Sequence, residues 1–237
     1  MFAFNPFDGA SVATRTLCFT FDDGPGVTVG DGPGPKTVRL AEYLNAEGIT
    51  ATFFCVGKFI GLHPEVIEKI DALGHLVGNH TFTHPNMVTL YESGGKKGCI
   101  DEVEYTDELI RKIIPDKPVY FRAPYGLWKP ELSALMNENL RRASKYRGPF
   151  FWDIGGNDYQ FWERQMGMQD CANSYLEEIE NKKRGIMLMH DSTADIKNMR
   201  LNNRTFETVK MLVPILKERG YQFVGLDKLL SYDDQQR

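Results

Sequence analysis

The 237-residue sequence contains no apolar stretch long enough to cross a membrane, which excludes a helical span. It has no cluster of basic residues either. The longest run, Lys182-Lys183-Arg184, stands just before Gly185 and reads as the end of a helix. With a formal net charge of −4, this argues against a nucleic-acid partner. The four cysteines, Cys18, Cys55, Cys99 and Cys171, form no CxxC pair. Cys18 and Cys55 lie in apolar strand-like runs, where a small buried thiol is the default, and scattered thiols of this kind predict no disulfide. The opening residues, Met1 to Pro6, carry neither a basic n-region nor an apolar h-region, so no signal peptide is read. A cytoplasmic protein and a mature form already trimmed of a leader both stay open. Oligomeric state is not readable. Internal repeats, low-complexity segments and linkers are also missing. The length suffices for one large core, so a single domain is expected over 1–237, its core at about 15–230.

What is present is an alternation of apolar runs and amphipathic helical patterns. Strands are predicted at Leu17–Phe21, Ala51–Val56, His75–Gly78, Val119–Arg122, Phe150–Ile154, Gly185–Met189 and Gln222–Val224. Helices are predicted at Thr37–Glu47, Pro64–Leu73, Ile100–Ile114, Pro130–Asn139, Asp170–Asn181 and Thr205–Arg219. In the second of these, Pro64 suits a first turn. Val66, Ile67, Ile70 and Leu73 share one face, and Gly74 closes the helix. Strands that are apolar on both faces fit a parallel sheet covered by helices. The expected fold is α/β, a distorted, incomplete (β/α) barrel with about seven parallel strands. Two segments read as long loops, Gly24–Pro35 beside a cleft and Thr89–Gly98 as an exposed, mobile connection.

The chemistry-bearing residues follow the predicted strands. Thr16–Phe21 leads into Asp22-Asp23-Gly24-Pro25, two adjacent carboxylates at a strand end. Such a pair is best tolerated where a cation separates their roles. His80 and His84 have a spacing that lets two imidazoles converge on one cation, although two polar loop histidines are an equal alternative. With Asp23 they would give three ligands and open positions, the pattern of a catalytic metal. Arg122-Ala-Pro-Tyr-Gly126 reads as a surface arginine or as one paired with an acid in a cleft, with a rigid turn aiming the Tyr125 N–H. His190 after Leu188-Met189 reads as an ordinary loop residue or as a general acid, with Asp158 able to orient it. Trp128, Trp162, Tyr91 and Tyr159 are candidates for stacking on sugar rings, whereas Trp152 is expected in the core or under a loop.

Taken in order and at these spacings, five segments resemble the motifs of the polysaccharide deacetylases with the NodB homology domain, carbohydrate esterase family four. They are Thr20–Pro25, His80–His84, Arg122–Gly126, Trp152–Tyr159 and Leu188–Asp191, within residues 16–191. The resemblance implies a hydrolase that removes acetyl groups from the N-acetylated sugars of a chitin- or peptidoglycan-type polysaccharide or oligosaccharide. An acetylxylan esterase of the same family is the alternative, and a secreted or cell-envelope location is favoured. It implies one divalent metal ion, zinc first, with cobalt, nickel or manganese compatible, held by Asp23, His80 and His84. Asp22 would be the base, oriented by Arg122. The Tyr125 N–H would share the oxyanion. Asp158 would set the protonation of His190, the acid. Leu188 would line the acetyl pocket, with Tyr125 and Tyr159 beside the substrate. The sequence departs from the family where Asp158-Tyr159 stands for the usual Asp-Trp and where Gly155-Gly156 replaces an acidic or hydroxyl residue. Those changes predict a more open wall around His190. The glycine- and proline-rich insert at Gly30–Pro35 lengthens the rim loop.

Overall fold

The computed structural model describes residues 1–193 and 197–229. In chain order the elements are β1 (Phe2–Phe7), β2 (Thr16–Gly24), α1 (Thr37–Ala46), β3 (Thr52–Cys55), α2 (Gly57–Leu62), α3 (Pro64–Ala72), β4 (Leu76–Asn79), α4 (Met87–Glu92), α5 (Lys96–Ile113), β5 (Val119–Phe121) and α6 (Pro130–Asn139). They continue with β6 (Tyr146–Phe150), β7 (Ile154–Gly155), α7 (Asp158–Glu163), α8 (Met168–Lys182), β8 (Gly185–His190), α9 (Lys197–Asn202), α10 (Thr205–Glu218) and β9 (Gln222–Phe223). The strands lie in the order β1-β6-β5-β4-β3-β2-β8-β7, with β9 joined to β2. All the pairings are parallel. This is the expected incomplete barrel.

Burial explains the strand composition. All nine residues of β2 and all four of β3 are buried, as a sheet covered on both sides requires. The helices bury one stripe each, for example Val66, Ile67 and Ile70 of α3. Pro64 opens that helix, and Gly74 follows it at φ 79°, a left-handed position. The four cysteines are free and buried.

Nine strands are described where about seven were expected. β1 escaped detection because Asn5 and Pro6 break its apolar pattern. It lies at the end of the strand order, where proline is tolerated. The predicted strand Phe150–Ile154 is in fact two. β6 carries Gly148 and Pro149, which read as a turn, and it ends at Phe150. A Cβ on Gly148 would lie 2.6 Å from the Phe121 carbonyl oxygen, so only glycine allows that approach. Residues 151–153 then cross to β7, which pairs β8 at the other end of the sheet. The crossing ties the two margins: Phe151 N donates to Phe7 O (2.8 Å) and Asp153 N to Ile186 O (2.9 Å). The Asp153 carboxylate accepts from Gly9 N and Ile186 N.

The expected mobile connection Thr89–Gly98 is also corrected. Asn86 caps α4 by accepting from Val88 N and Thr89 N, and α5 begins at Lys96, so only a short Gly94-Gly95 turn separates two helices. Strand β2 runs on through Gly24, and residues 25–36 are then irregular up to the start of α1, as expected.

Candidate active site

The C-terminal ends of β2, β4, β5, β7 and β8 meet on one face. Between them lies a cavity of about 420 Å³, lined by Asp22, Asp23, His80, His84, Tyr125, Gly126, Trp152, Gly156, Asn157, Tyr159, Leu188, His190 and Thr193. Every predicted site residue lines this cavity except Arg122 and Asp158, which stand directly behind it.

Arg122 is fully buried and its guanidinium is spent on four partners. Nη1 donates to Asp22 Oδ1 and Thr20 Oγ1, both at 2.8 Å, while Nε and Nη2 reach the carbonyls of Phe150 and Phe151. It also lies 4.3 Å from the centre of the Phe54 ring. Arginine at a strand end is therefore a cleft residue here. Burial raises the pKa of Asp22, and the Arg122 charge opposes that rise.

Asp23 Oδ1 lies 3.2 Å from His84 Nε2 and 3.6 Å from His80 Nε2. One ligand atom from each of the three residues falls within 4.8 Å of the others, and all three residues are buried. The Nδ1 of His80 is 2.8 Å from the Arg122 carbonyl, which fixes the proton there and turns the Nε2 lone pair toward Asp23. Burial, reinforced by the neighbouring His84, lowers the His80 pKa to about 3, so its imidazole is neutral. Two imidazoles, at least one held neutral, and a carboxylate on one side of an open cavity make a donor set that fits a divalent cation. Asp23 (φ 72°), Thr81 (66°), His84 (66°) and Tyr125 (59°) all take left-handed backbone conformations. Non-glycine residues adopt these at a cost of about 1–3 kcal/mol each, and such strain gathers at functional sites.

Across the cavity, His190 Nδ1 lies 2.7 Å from Asp158 Oδ1, and the His190 backbone N–H donates to Asp158 Oδ2 at 2.7 Å. Asp158 is fully buried. Burial alone would lower the His190 pKa, but the Asp158 carboxylate, with Asp23 and Asp22 behind it, raises it to about 10. Asn203 and Thr205 hold the His190 carbonyl from the start of α10, contacts without a motif to reveal them.

Leu188 forms part of the floor, its carbonyl accepting from Tyr175 Oη (2.6 Å) and Gly156 N (2.9 Å). Trp152 is half-buried and packs against the core cluster that contains Phe54, Tyr120 and Phe150, as expected, but it also has a second role. It lines the cavity between Gly126 and Gly156, where a Cβ would come within 2.8 and 2.9 Å of the indole. Of the two glycines that make room for it, Gly156 is one of the pair at which the sequence departs from the family pattern. Tyr159 packs edge-on to His190 at 5.8 Å. Of the other aromatic candidates, Trp162 is buried and Trp128 packs on Phe121 and Phe2, so neither faces the cavity.

Residues 9–142 match the family model described as polysaccharide deacetylase. The chain belongs to the polysaccharide deacetylase family. It is 30% identical over 227 residues to a chitooligosaccharide deacetylase of Rhizobium leguminosarum bv. trifolii, covering 93% of this chain and 94% of that protein. It is 28% identical over 200 residues to a peptidoglycan-N-acetylglucosamine deacetylase of Bacillus cereus, covering 83% and 67%. Among solved structures, a polysaccharide deacetylase of Bacillus cereus superposes with a TM-score of 0.64 at 27% identity, covering 89% and 91% of the two chains. A deacetylase solved with its substrate gives 0.67 at 28% identity, covering 93% of each.

Proposed function

We propose that this protein is a metal-dependent hydrolase that removes acetyl groups from N-acetylated sugars of a chitin- or peptidoglycan-type glycan. The observation that carries the reading is a convergence in one cavity. A carboxylate with two imidazoles, a second carboxylate on an arginine and a third imidazole on a buried aspartate all reach it. The names of the bacterial relatives support the substrate class.

Asp23, His80 and His84 would hold the ion, with zinc the first choice for this donor set and cobalt, nickel or manganese acceptable. When bound, it supplies Lewis-acid polarisation of the acetyl carbonyl and activation of a water. Asp22 takes a proton from the attacking water. Its burial favours proton uptake, and Arg122 holds it in line. The Tyr125 backbone N–H is assigned to the developing oxyanion, a contribution of about 3 kcal/mol for one such donor. His190 presents its Nε2 proton to the sugar nitrogen as the C–N bond breaks, and Asp158 keeps Nδ1 protonated. The products are acetate and a free amine. Leu188 and Trp152 enclose the methyl group, and Tyr159 faces the sugar.

The test is acetate release from N-acetylglucosamine oligomers, peptidoglycan and acetylated xylan, after metal stripping and reloading. Activity on one of the first two, lost with a chelator and restored by Zn2+, is expected. Activity that survives chelation, or release from xylan alone, would overturn the proposal.

A further inference from the structure

The loop that carries His80 and His84 is held by three segments of chain. Thr81 N donates to Asn79 Oδ1 (2.8 Å), on the strand below. Phe82 N and Thr83 N both donate to Glu102 Oε2 (2.8 and 2.7 Å), and the Thr83 hydroxyl donates to Glu102 Oε1 (2.6 Å). Gly57 N and Lys58 N at the start of α2, which packs on α5, donate to the carbonyls of Thr81 and Phe82 (2.9 and 3.0 Å). Three successive amides are thus satisfied by two side chains, and two successive carbonyls by one helix end.

Glu102 stands on α5, which is anchored in the core through Cys99, Val103 and Ile110. The loop it grips is strained at both ends, with Thr81 and His84 left-handed. Threonine, being β-branched, does not take that conformation unless its surroundings impose it. The Glu102 carboxylate accepts three hydrogen bonds from that strained segment, and bonds to a carboxylate are among the strong ones.

We infer that Glu102 is a positioning residue for the metal ligands, acting through the backbone of residues 82 and 83 to keep both imidazoles turned toward Asp23. The inference rests on the ligand role proposed above for His80 and His84. Without the carboxylate, two amides of the turn lose their acceptor and the left-handed residues can relax. His84 Nε2 then moves from its place beside Asp23. Supports of this kind typically change metal affinity by about 10- to 100-fold.

The experiment is Zn2+ affinity by calorimetry on the metal-free full chain, together with hydrogen exchange of the loop amides. Glu102→Ala is expected to bind Zn2+ about 10- to 100-fold more weakly and to exchange the Phe82 and Thr83 amides faster. Glu102→Gln keeps an acceptor oxygen and should recover most of the affinity. Asp101→Asn, one residue away and paired with Lys97, should match the unmodified protein. Thr83→Val, at an exposed position, removes only the hydroxyl bond and should weaken binding about two- to fivefold, which keeps the inference open to refutation if Glu102→Ala fails to fold. Affinity within about twofold of the unmodified protein in Glu102→Ala, or in Thr83→Val if Glu102→Ala does not fold, would overturn it. So would equal losses in Glu102→Gln and Glu102→Ala, since charge rather than positioning would then be at work. An unmodified protein that binds no Zn2+ would overturn the proposed function itself and this inference with it, an outcome distinct from unchanged variants.

Discussion

The two halves of the cavity use the same side chain for opposite ends. His80 and His190 both stand at the C-terminal edge of the sheet, mostly enclosed, with Nδ1 bonded at 2.8 and 2.7 Å. The partner of His80 is a backbone carbonyl, and burial lowers its pKa to about 3. The partner of His190 is a carboxylate, which overrides burial and raises the pKa to about 10. On the proposed function, one imidazole serves as a lone-pair donor and the other as a proton carrier. The group behind each ring separates them: a neutral carbonyl leaves burial and the His84 charge to prevail at His80, whereas the Asp158 carboxylate, with Asp23 and Asp22, outweighs burial at His190.

The most damaging way to break this contrast is to remove the proton traffic while leaving the cation side alone. Asp22→Asn should lower kcat by about 10³–10⁴-fold with Zn2+ affinity retained; normal turnover would remove Asp22 as the base. Asp158→Asn should cost about 10²–10⁴-fold on N-acetyl substrates and less on an ester, whose leaving group needs no proton from His190. Equal losses on both substrates would detach His190 from the leaving group. His84→Ala attacks the other half, and calorimetry should show Zn2+ binding weakened by more than about 100-fold. The contrast can also be sharpened without mutation. Imidazole NMR of the metal-free protein should find His80 neutral at pH 5 and His190 protonated at pH 8. The smallest effect involves a third buried histidine far from the site. His75 accepts from Ala51 N, donates to Ala41 O, and has its pKa lowered by burial. A base whose folded pKa is depressed favours the neutral form, so stability is full above about pH 6.5 and declines as pH falls below it. Tm measured from pH 7 to 5 should drop, and should drop less in His75→Gln.

The parts legible in the sequence were those in which local pattern and position agree. Asp22, Asp23, His80, His84, Arg122 and His190 each follow an apolar run, and in a parallel sheet the ends of such runs gather on one face. The supports were not legible, because their effect depends on distant partners. Glu102 looks like one acid among several on the exposed side of a helix, and Asn79 like the end of a strand. Only folding brings both to the same turn. Trp152 packs against the core as expected, but its place on the cavity wall was hidden for a related reason. Its exposure depends on the two glycines beside it, Gly126 and Gly156, which come from separate segments. β1 and the broken strand β6–β7 were hidden by prolines and a glycine, which read as turns until the neighbouring strand is known.

The crossing at residues 151–153 joins the two margins of the sheet and also carries Trp152 into the cavity. Seam and wall are therefore one piece of chain. Insertions placed elsewhere around the barrel would be absorbed by its outer loops. On the proposed function, any that loosened this stitch would be felt as a changed fit for the acyl group.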